Sequence, residues 1–390
     1  MPSESQAPTV SANLWDDDDP RHDRAAGAWL GAAAVACIVG ASAPVVKEIA
    51  RPDGGGTGPA LLSWLVVTAL RHLDDPGGVA AAVGAGPHRS WALALRSTLA
   101  EGRVPAAGEG TPESGPEAVS RWAVECTPVP PLDPARGVFP CAQLVDAVRS
   151  AHAASGEEAA MYAGALAGAR WGLSGIPLRA QRRLADTIDP GSLVRRAVVT
   201  ARGSAASVWP EQPHHHLKGS PCIRHPFGIE HPHDPGVTLG NLSYMRSASD
   251  IGAVVTLCRI GAQDPLTRLP GRDRIEVWLA DTEGVNPNLH FVIDEAARAV
   301  AALRSEGKRV LLHCAAGQSR TPAVAAHYAV LSRGVDVVEA LRTIIPAVGG
   351  HLDTPELSRA TAALHGVELA DPLRELFPGG PPQRRRAPRD

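Results

Sequence analysis

The sequence predicts two domains of different class: an all-helical domain over residues 21–203, then an α/β domain over 237–376 built on a mainly parallel central sheet. Three observations lead there. The first half carries helical stretches separated by Gly/Pro-rich breaks and no strand pattern of useful length. From Val237 onward, short apolar runs of strand length alternate with a long amphipathic stretch. One of those runs, Val310-Leu311-Leu312, leads into His313-Cys314-Ala315-Ala316-Gly317-Gln318-Ser319-Arg320-Thr321, and Pro322 follows where a helix can begin without needing its N–H.

Residues 1–20 are polar and acidic without period and are expected to be disordered. Their Asp16–Asp19 run stands in place of a basic n-region, so they do not read as a secretory signal. A helix is expected from Arg24, rich in residues small enough for close approach of its neighbours. Ala25–Val46 is uncharged and long enough to span a bilayer, but its Gly/Ala content and Pro44 point to a buried core helix. Further helices are expected at 60–73, 90–99, 117–125, 141–152, 157–171 and 191–201. The stretch 204–236 interleaves prolines with His214, His215, His216, His225, His231 and His233 and reads as a linker; with Cys222 its spacing matches no zinc pattern. Strands are expected at 237–239, 251–258, 275–279 and 310–312, with a short helix at 243–248.

Asn286 and Pro287 are expected to cap and open a helix whose apolar stripe is Leu289, Val292, Ile293, Ala296, Ala297, Val300 and Leu303, stopped by Gly307. Strand, crossover helix and strand then form a βαβ unit that puts Cys314 at the carboxyl edge of the sheet, where ligands of open sheets bind. Helices follow at 322–332, 337–345 and 355–364, the last capped by Thr354. Residues 377–390, with Arg384-Arg385-Arg386, read as a disordered, solvated tail.

Composition bounds the function. A chain of 390 residues with 44% hydrophobic content can bury two cores, and a formal charge of −3 argues against a nucleic-acid partner. No membrane partner is expected. Six cysteines without a Cys-x-x-Cys pair fit a reducing, cytoplasmic setting.

The loop at 313–321 carries the chemistry. Small residues at 315–317 let backbone N–H groups turn inward, and such a ring at a helix start attracts an oxyanion of about phosphate size. A thiol inside it has its anionic form favoured by the donors, by the helix dipole and by Arg320. Cys314 is therefore the candidate nucleophile. Arg320 and the backbone of Ala315, Ala316, Gly317, Gln318 and Ser319 are the candidate phosphate cradle, and Thr321 can donate its hydroxyl to the departing sulfur. His313 is expected to order the loop through hydrogen bonds to backbone. Ester hydrolysis also needs a proton for the leaving oxygen. Asp281, at the end of the run 275–280, is the candidate acid, with Glu283 as competitor. Cys258 is either a buried strand cysteine or a partner for a protective disulfide with Cys314.

The run His313-Cys314-x5-Arg320-Thr321 resembles the signature of the protein tyrosine phosphatase superfamily, His-Cys-x5-Arg-Ser/Thr. The separation of Asp281 from Cys314 is similar to that in dual-specificity phosphatases. The resemblance implies hydrolysis of phosphoprotein through a phosphocysteine, without a cofactor. The variable loop positions Ala315, Ala316, Gln318 and Ser319 add no cations of the kind a polyphosphorylated inositide would use, so a phosphoprotein is the expected substrate.

Residues 163–177, Ala-Gly-Ala-Leu-Ala-Gly-Ala-Arg-Trp-Gly-Leu-Ser-Gly-Ile-Pro, resemble the late core helix of the ADP-ribosylglycohydrolase family, and Arg24–Gly31 its opening helix. That family holds magnesium with acids from three places. Here Ser155 and Glu157 stand where its Asp-x-Asp pair would be, Gly58–Trp64 offers no carboxylate, and the Gly-Asp expected around Val35-Ala36-Cys37 is missing. The resemblance thus implies the helical shape without the magnesium site, while an ADP-ribose-type ligand for the helical half stays open. The rival readings are a catalytically silent reader of ADP-ribose or phosphoresidues, and an active ADP-ribosylglycohydrolase, for which the acids are too few. Sulfurtransferases and arsenate reductases also use cysteine loops, but lack this combination of Thr321 and Asp281.

Overall fold

The computed structural model describes residues 18–51, 56–106, 114–202, 224–260 and 268–385. Residues 1–17 of the expected N-terminal tail, 204–223 of the expected linker with His214–His216 and Cys222, and 386–390 lie outside the described residues.

The first half is helical, as its periodicity predicts. α1 (Pro20–Val39) starts at Pro20 because Asp19 accepts a hydrogen bond from the Arg21 N–H at 2.8 Å and pairs with its guanidinium, occupying donors a helix start leaves over. α2 (Ala43–Ile49), α3 (Gly58–Arg71), α4 (Pro76–Val83), α5 (Pro87–Glu101) and α6 (Pro116–Cys126) each carry proline in the first turn. α7 (Gln143–Trp171) joins the two helices expected at 141–152 and 157–171; Ser155 and Gly156 leave helical geometry at the junction. α8 (Leu178–Leu184) and α9 (Pro190–Arg202) complete the half.

α1 is the buried centre, with Ala25–Val35 at or near zero exposure, and no helix among the described residues is long and apolar enough to cross a membrane. It meets α7 through glycine on both sides. A Cβ on Gly27 would lie 2.3 Å from the Gly168 carbonyl oxygen, and one on Gly31 2.3 Å from that of Gly164. Backbone therefore packs on backbone, which is why this sequence is so poor in large residues here.

The second half holds a five-stranded sheet in the order β1-β2-β5-β3-β4, with strands at Gly228–His231, Asp234–Gly240, Ala253–Thr256, Arg274–Glu276 and Val310–His313. β2, β5, β3 and β4 run parallel; β1 is antiparallel to β2. β1 and the start of β2 fall inside the stretch expected to be linker. The prolines and histidines there mask a hairpin that forms the sheet edge, where a missing ladder donor is tolerated.

The crossover helix runs Leu289–Ser305, not from Pro287. Asn286 does not cap it: its side chain accepts from the Ala280 N–H at 2.8 Å and donates to the Ala280 carbonyl at 3.1 Å. Thr354 stands at the start of Pro355–Ala363 but gives its hydroxyl to Asp281 instead of to the helix. The expected tail is also corrected. Beyond the helical turn Pro372–Leu376, Arg384 pairs with Asp353 and Arg385 is bound along 348–349 through its backbone and guanidinium, so the end of 377–385 is held on the domain while 378–381 are exposed.

The two halves share an interface. Trp278 of the sheet domain is buried in the helical core, Asn288 donates to the Trp171 carbonyl at 2.7 Å and the Ser174 hydroxyl at 2.8 Å, and Glu295 accepts from the Leu178 N–H at 2.6 Å.

Buried His22 and half-buried His365 make the fold acid-sensitive. Burial, with Arg259 and Arg202 nearby, pushes His22 down to about 3, and burial with the neighbouring His327 pushes His365 down to about 4. Both resist protonation when folded, whereas in the unfolded chain they titrate near 6.5. The folded state therefore binds fewer protons, and stability is lost progressively as pH falls from 6.5 toward 4. Asp23, raised to about 6 by burial, opposes this with one group below pH 6. The melting temperature is expected to drop between pH 7 and pH 5, with a smaller drop in His365→Gln; a flat profile in the native chain would contradict the assignment.

Candidate active site

β5 is the central strand, and its last residue, His313, stands opposite Gly240 of β2 and Thr256 of β3. Both ring nitrogens of His313 are engaged. Nδ1 donates to the Cys314 carbonyl at 3.2 Å, which fixes the tautomer, so in the neutral ring Nε2 accepts from the Thr256 hydroxyl at 2.9 Å. The first residue of the loop is thereby tied to the neighbouring strand.

Cys314 is buried at the end of β5, 1% exposed. The Gly317 N–H donates to its sulfur at 3.2 Å. This inward turn requires glycine: its φ is +75°, and a Cβ would sit 2.6 Å from the Gly240 carbonyl oxygen. Leu242 N–H donates to the Ala315 carbonyl at 3.1 Å, anchoring the loop's outer side. Gln318 points its amide away, donating to the Gly349 carbonyl at 2.6 Å. Ser319 stands just before the helix Arg320–Arg333 and makes no side-chain cap.

Arg320 opens that helix and is fully buried. Its Nη1 donates to the Leu257 carbonyl at 3.1 Å and the Leu279 carbonyl at 3.0 Å, the chain just past β3 and the end of the run before Asp281. One arm of the fork is thus fixed to two backbone segments, which sets the plane of the other. Burial alone would disfavour its charge, but Asp281, Cys314 and Cys258 outweigh that and hold the guanidinium protonated more firmly than usual.

Asp281 faces this guanidinium, its Oδ2 3.6 Å from Nε. Its Oδ1 accepts from the Thr354 hydroxyl at 2.9 Å, and the preceding Ala280 is clamped by Asn286. Glu283, the competing acid, is paired with Arg359 at 2.9 Å on the surface. The Thr321 hydroxyl is buried and has no hydrogen-bond partner among the described residues, a donor held in reserve one residue past the arginine. Cys314 is a free thiol, and Cys258 is buried in the sheet domain. His327 is used in packing, bonded to Asp294 at 2.9 Å and His365 at 2.8 Å. Among the described residues no group of three or more His, Cys, Asp or Glu could hold a metal ion.

Three candidate residues of the loop at 313–321, His313, Cys314 and Arg320, therefore meet Asp281 from a separate segment at the carboxyl edge of the sheet. Sequence reasoning missed the supports: Thr256, Thr354, Asn286, and the carbonyls of Leu257 and Leu279. Asn286 and Thr354 carried visible signals, but both read equally well as helix caps, and only the tertiary arrangement shows their other use.

Residues 243–352 match the model of the dual specificity phosphatase catalytic domain. No curated protein and no solved structure matches the chain. The match supports the dual-specificity phosphatase superfamily for the C-terminal part and, at the family level, a protein phosphatase, a phosphoric monoester hydrolase acting on phosphorylated substrates. The match begins at residue 243 and leaves the helical half outside it.

Proposed function

We propose that the chain hydrolyses phosphoprotein, phosphotyrosine first and phosphoserine or phosphothreonine at lower rates, through a phosphocysteine intermediate and without a cofactor. The observation that carries this reading is the convergence of Cys314, Arg320 and Asp281 on one point at the sheet edge. Cys314 Sγ attacks phosphorus as the ester P–O bond breaks, and the Asp281 carboxyl gives its proton to the leaving oxygen. Arg320 and the loop N–H groups hold the equatorial oxygens, where charge accumulates. Asp281, now a carboxylate, takes a proton from water attacking the phosphocysteine. The S–P bond breaks, phosphate leaves, and the Thr321 hydroxyl donates to the departing sulfur.

The helical half is taken as an ADP-ribosylglycohydrolase-like scaffold without hydrolase activity, and an ADP-ribose-type ligand is the partner to test on it. Ser155, which stands with Glu157 where that family's Asp-x-Asp pair would be, lies with Gly156 at the kink of α7.

Asp281→Asn tests the assignment of the acid. Turnover of phenyl phosphate or a phosphotyrosine peptide, measured with EDTA present, is expected to fall about 100-fold. With p-nitrophenyl phosphate, whose leaving group needs less protonation, the loss is expected to be smaller. An unchanged Asp281→Asn enzyme, or a larger loss in Glu283→Gln, would reassign the proton donor.

A further inference from the structure

Arg385 belongs to the stretch expected to be a solvated tail, yet four groups of the domain hold it. Its backbone N–H donates to the Gly349 carbonyl at 3.0 Å, Nη1 to the Val348 carbonyl at 3.1 Å, and Nη2 to the Ala316 carbonyl at 2.6 Å. The guanidinium lies over the Phe227 ring, 3.5 Å from its centroid. The backbone at Gly349 admits this approach only without a side chain: its φ is +66°, and a Cβ would lie 2.3 Å from that of Arg385. The same Gly349 carbonyl receives the Gln318 amide, so the segment and the loop are held by a shared acceptor.

The Ala316 contact matters because of what lies across the same peptide unit. The carbonyl bound by Arg385 and the Gly317 N–H that donates to the Cys314 sulfur belong to one amide plane. Pinning the oxygen fixes where the N–H points. A cation on the oxygen also draws electron density from the nitrogen and makes that N–H a stronger donor.

Resting on the phosphocysteine reading, we infer that Arg385 is a positioning residue of the active-site loop: through the Ala316–Gly317 peptide it aims and polarises the N–H that stabilises the Cys314 thiolate. Arginine suits the place because one planar fork reaches Val348 and Ala316 together while its face covers Phe227. Arg384, beside it, pairs with Asp353 away from the Ala316 carbonyl, which makes it the control.

The test uses the full chain with Arg385→Ala, Arg385→Gln, Arg385→Lys and Arg384→Ala. Alkylation of Cys314 by iodoacetamide, followed by mass spectrometry of its peptide across a pH series, reads the thiolate without needing turnover. In Arg385→Ala and Arg385→Gln the alkylation curve is expected to move to higher pH, giving roughly threefold slower alkylation at a fixed pH below its midpoint. Arg385→Lys is expected to recover part of the shift, and Arg384→Ala none is expected to be seen. The acid limb of kcat/KM for p-nitrophenyl phosphate, which reports the free enzyme, should move in parallel. Curves that coincide with the native one in Arg385→Ala and Arg385→Gln would overturn the inference. So would an equal shift in Arg384→Ala, or a change confined to melting temperature. If the native chain turned over no phosphate ester, the proposed function would fail while the alkylation series still decided the role of Arg385.

Discussion

Cys314→Ser is expected to abolish turnover of p-nitrophenyl phosphate, by roughly four orders of magnitude or more, while inorganic phosphate or vanadate still binds. The size follows from the chemistry: a neutral hydroxyl replaces a sulfur anion, and removing the atom that forms the covalent intermediate disables the residues acting with it. The cradle survives, since the Gly317 N–H and the Arg320 anchors do not depend on the sulfur for their position. Isothermal titration with the anion separates the two effects. Turnover retained within tenfold of the native rate would exclude Cys314 as nucleophile.

Arg320→Lys is expected to cost about 10³-fold in kcat/KM and several degrees in melting temperature. Lysine keeps the charge but has one nitrogen at the end of a flexible stem. It cannot bond the Leu257 and Leu279 carbonyls and present a second arm to a phosphoryl group at the same time. The carbonyls left unpaired lie in a buried place, so stability falls with activity. Activity loss without any loss of stability would show that the backbone anchors contribute nothing; full activity would remove Arg320 from the cradle.

What the sequence made legible, and what it hid, divides along physical lines. Local periodicity and breakers gave most helices, because α1, α5, α6 and α9 carry their punctuation in a few adjacent residues. The loop at 313–321 was readable because nucleophile and clamp share one continuous segment. Asp281 was found by position in the chain, although its orientation toward Arg320 rests on Thr354, more than seventy residues away. β1 was hidden because Pro, His and Asp dominate its surroundings, and an edge hairpin needs no apolar alternation on both faces. Asn286 misled because a residue able to cap a helix can equally bond a neighbouring backbone unit, and sequence does not say which acceptor will be in reach. The segment 377–385 misled for a related reason: Gly/Pro/Arg composition suits solvated chain, while a single arginine with three acceptors and a ring in reach fixes it.

Trp278 sits in the core of the helical half, only three residues ahead of Asp281, the candidate acid. Excising residues 224–385 would leave that indole without its socket and free the chain that carries Asp281 to wander. Low activity in such a fragment would then report a damaged scaffold, and by itself would say nothing of a regulatory signal passing between the halves. For the same reason the two pieces are poorly suited to separate inheritance: a lineage shedding the first would have to rebuild the seat of the tryptophan in the second.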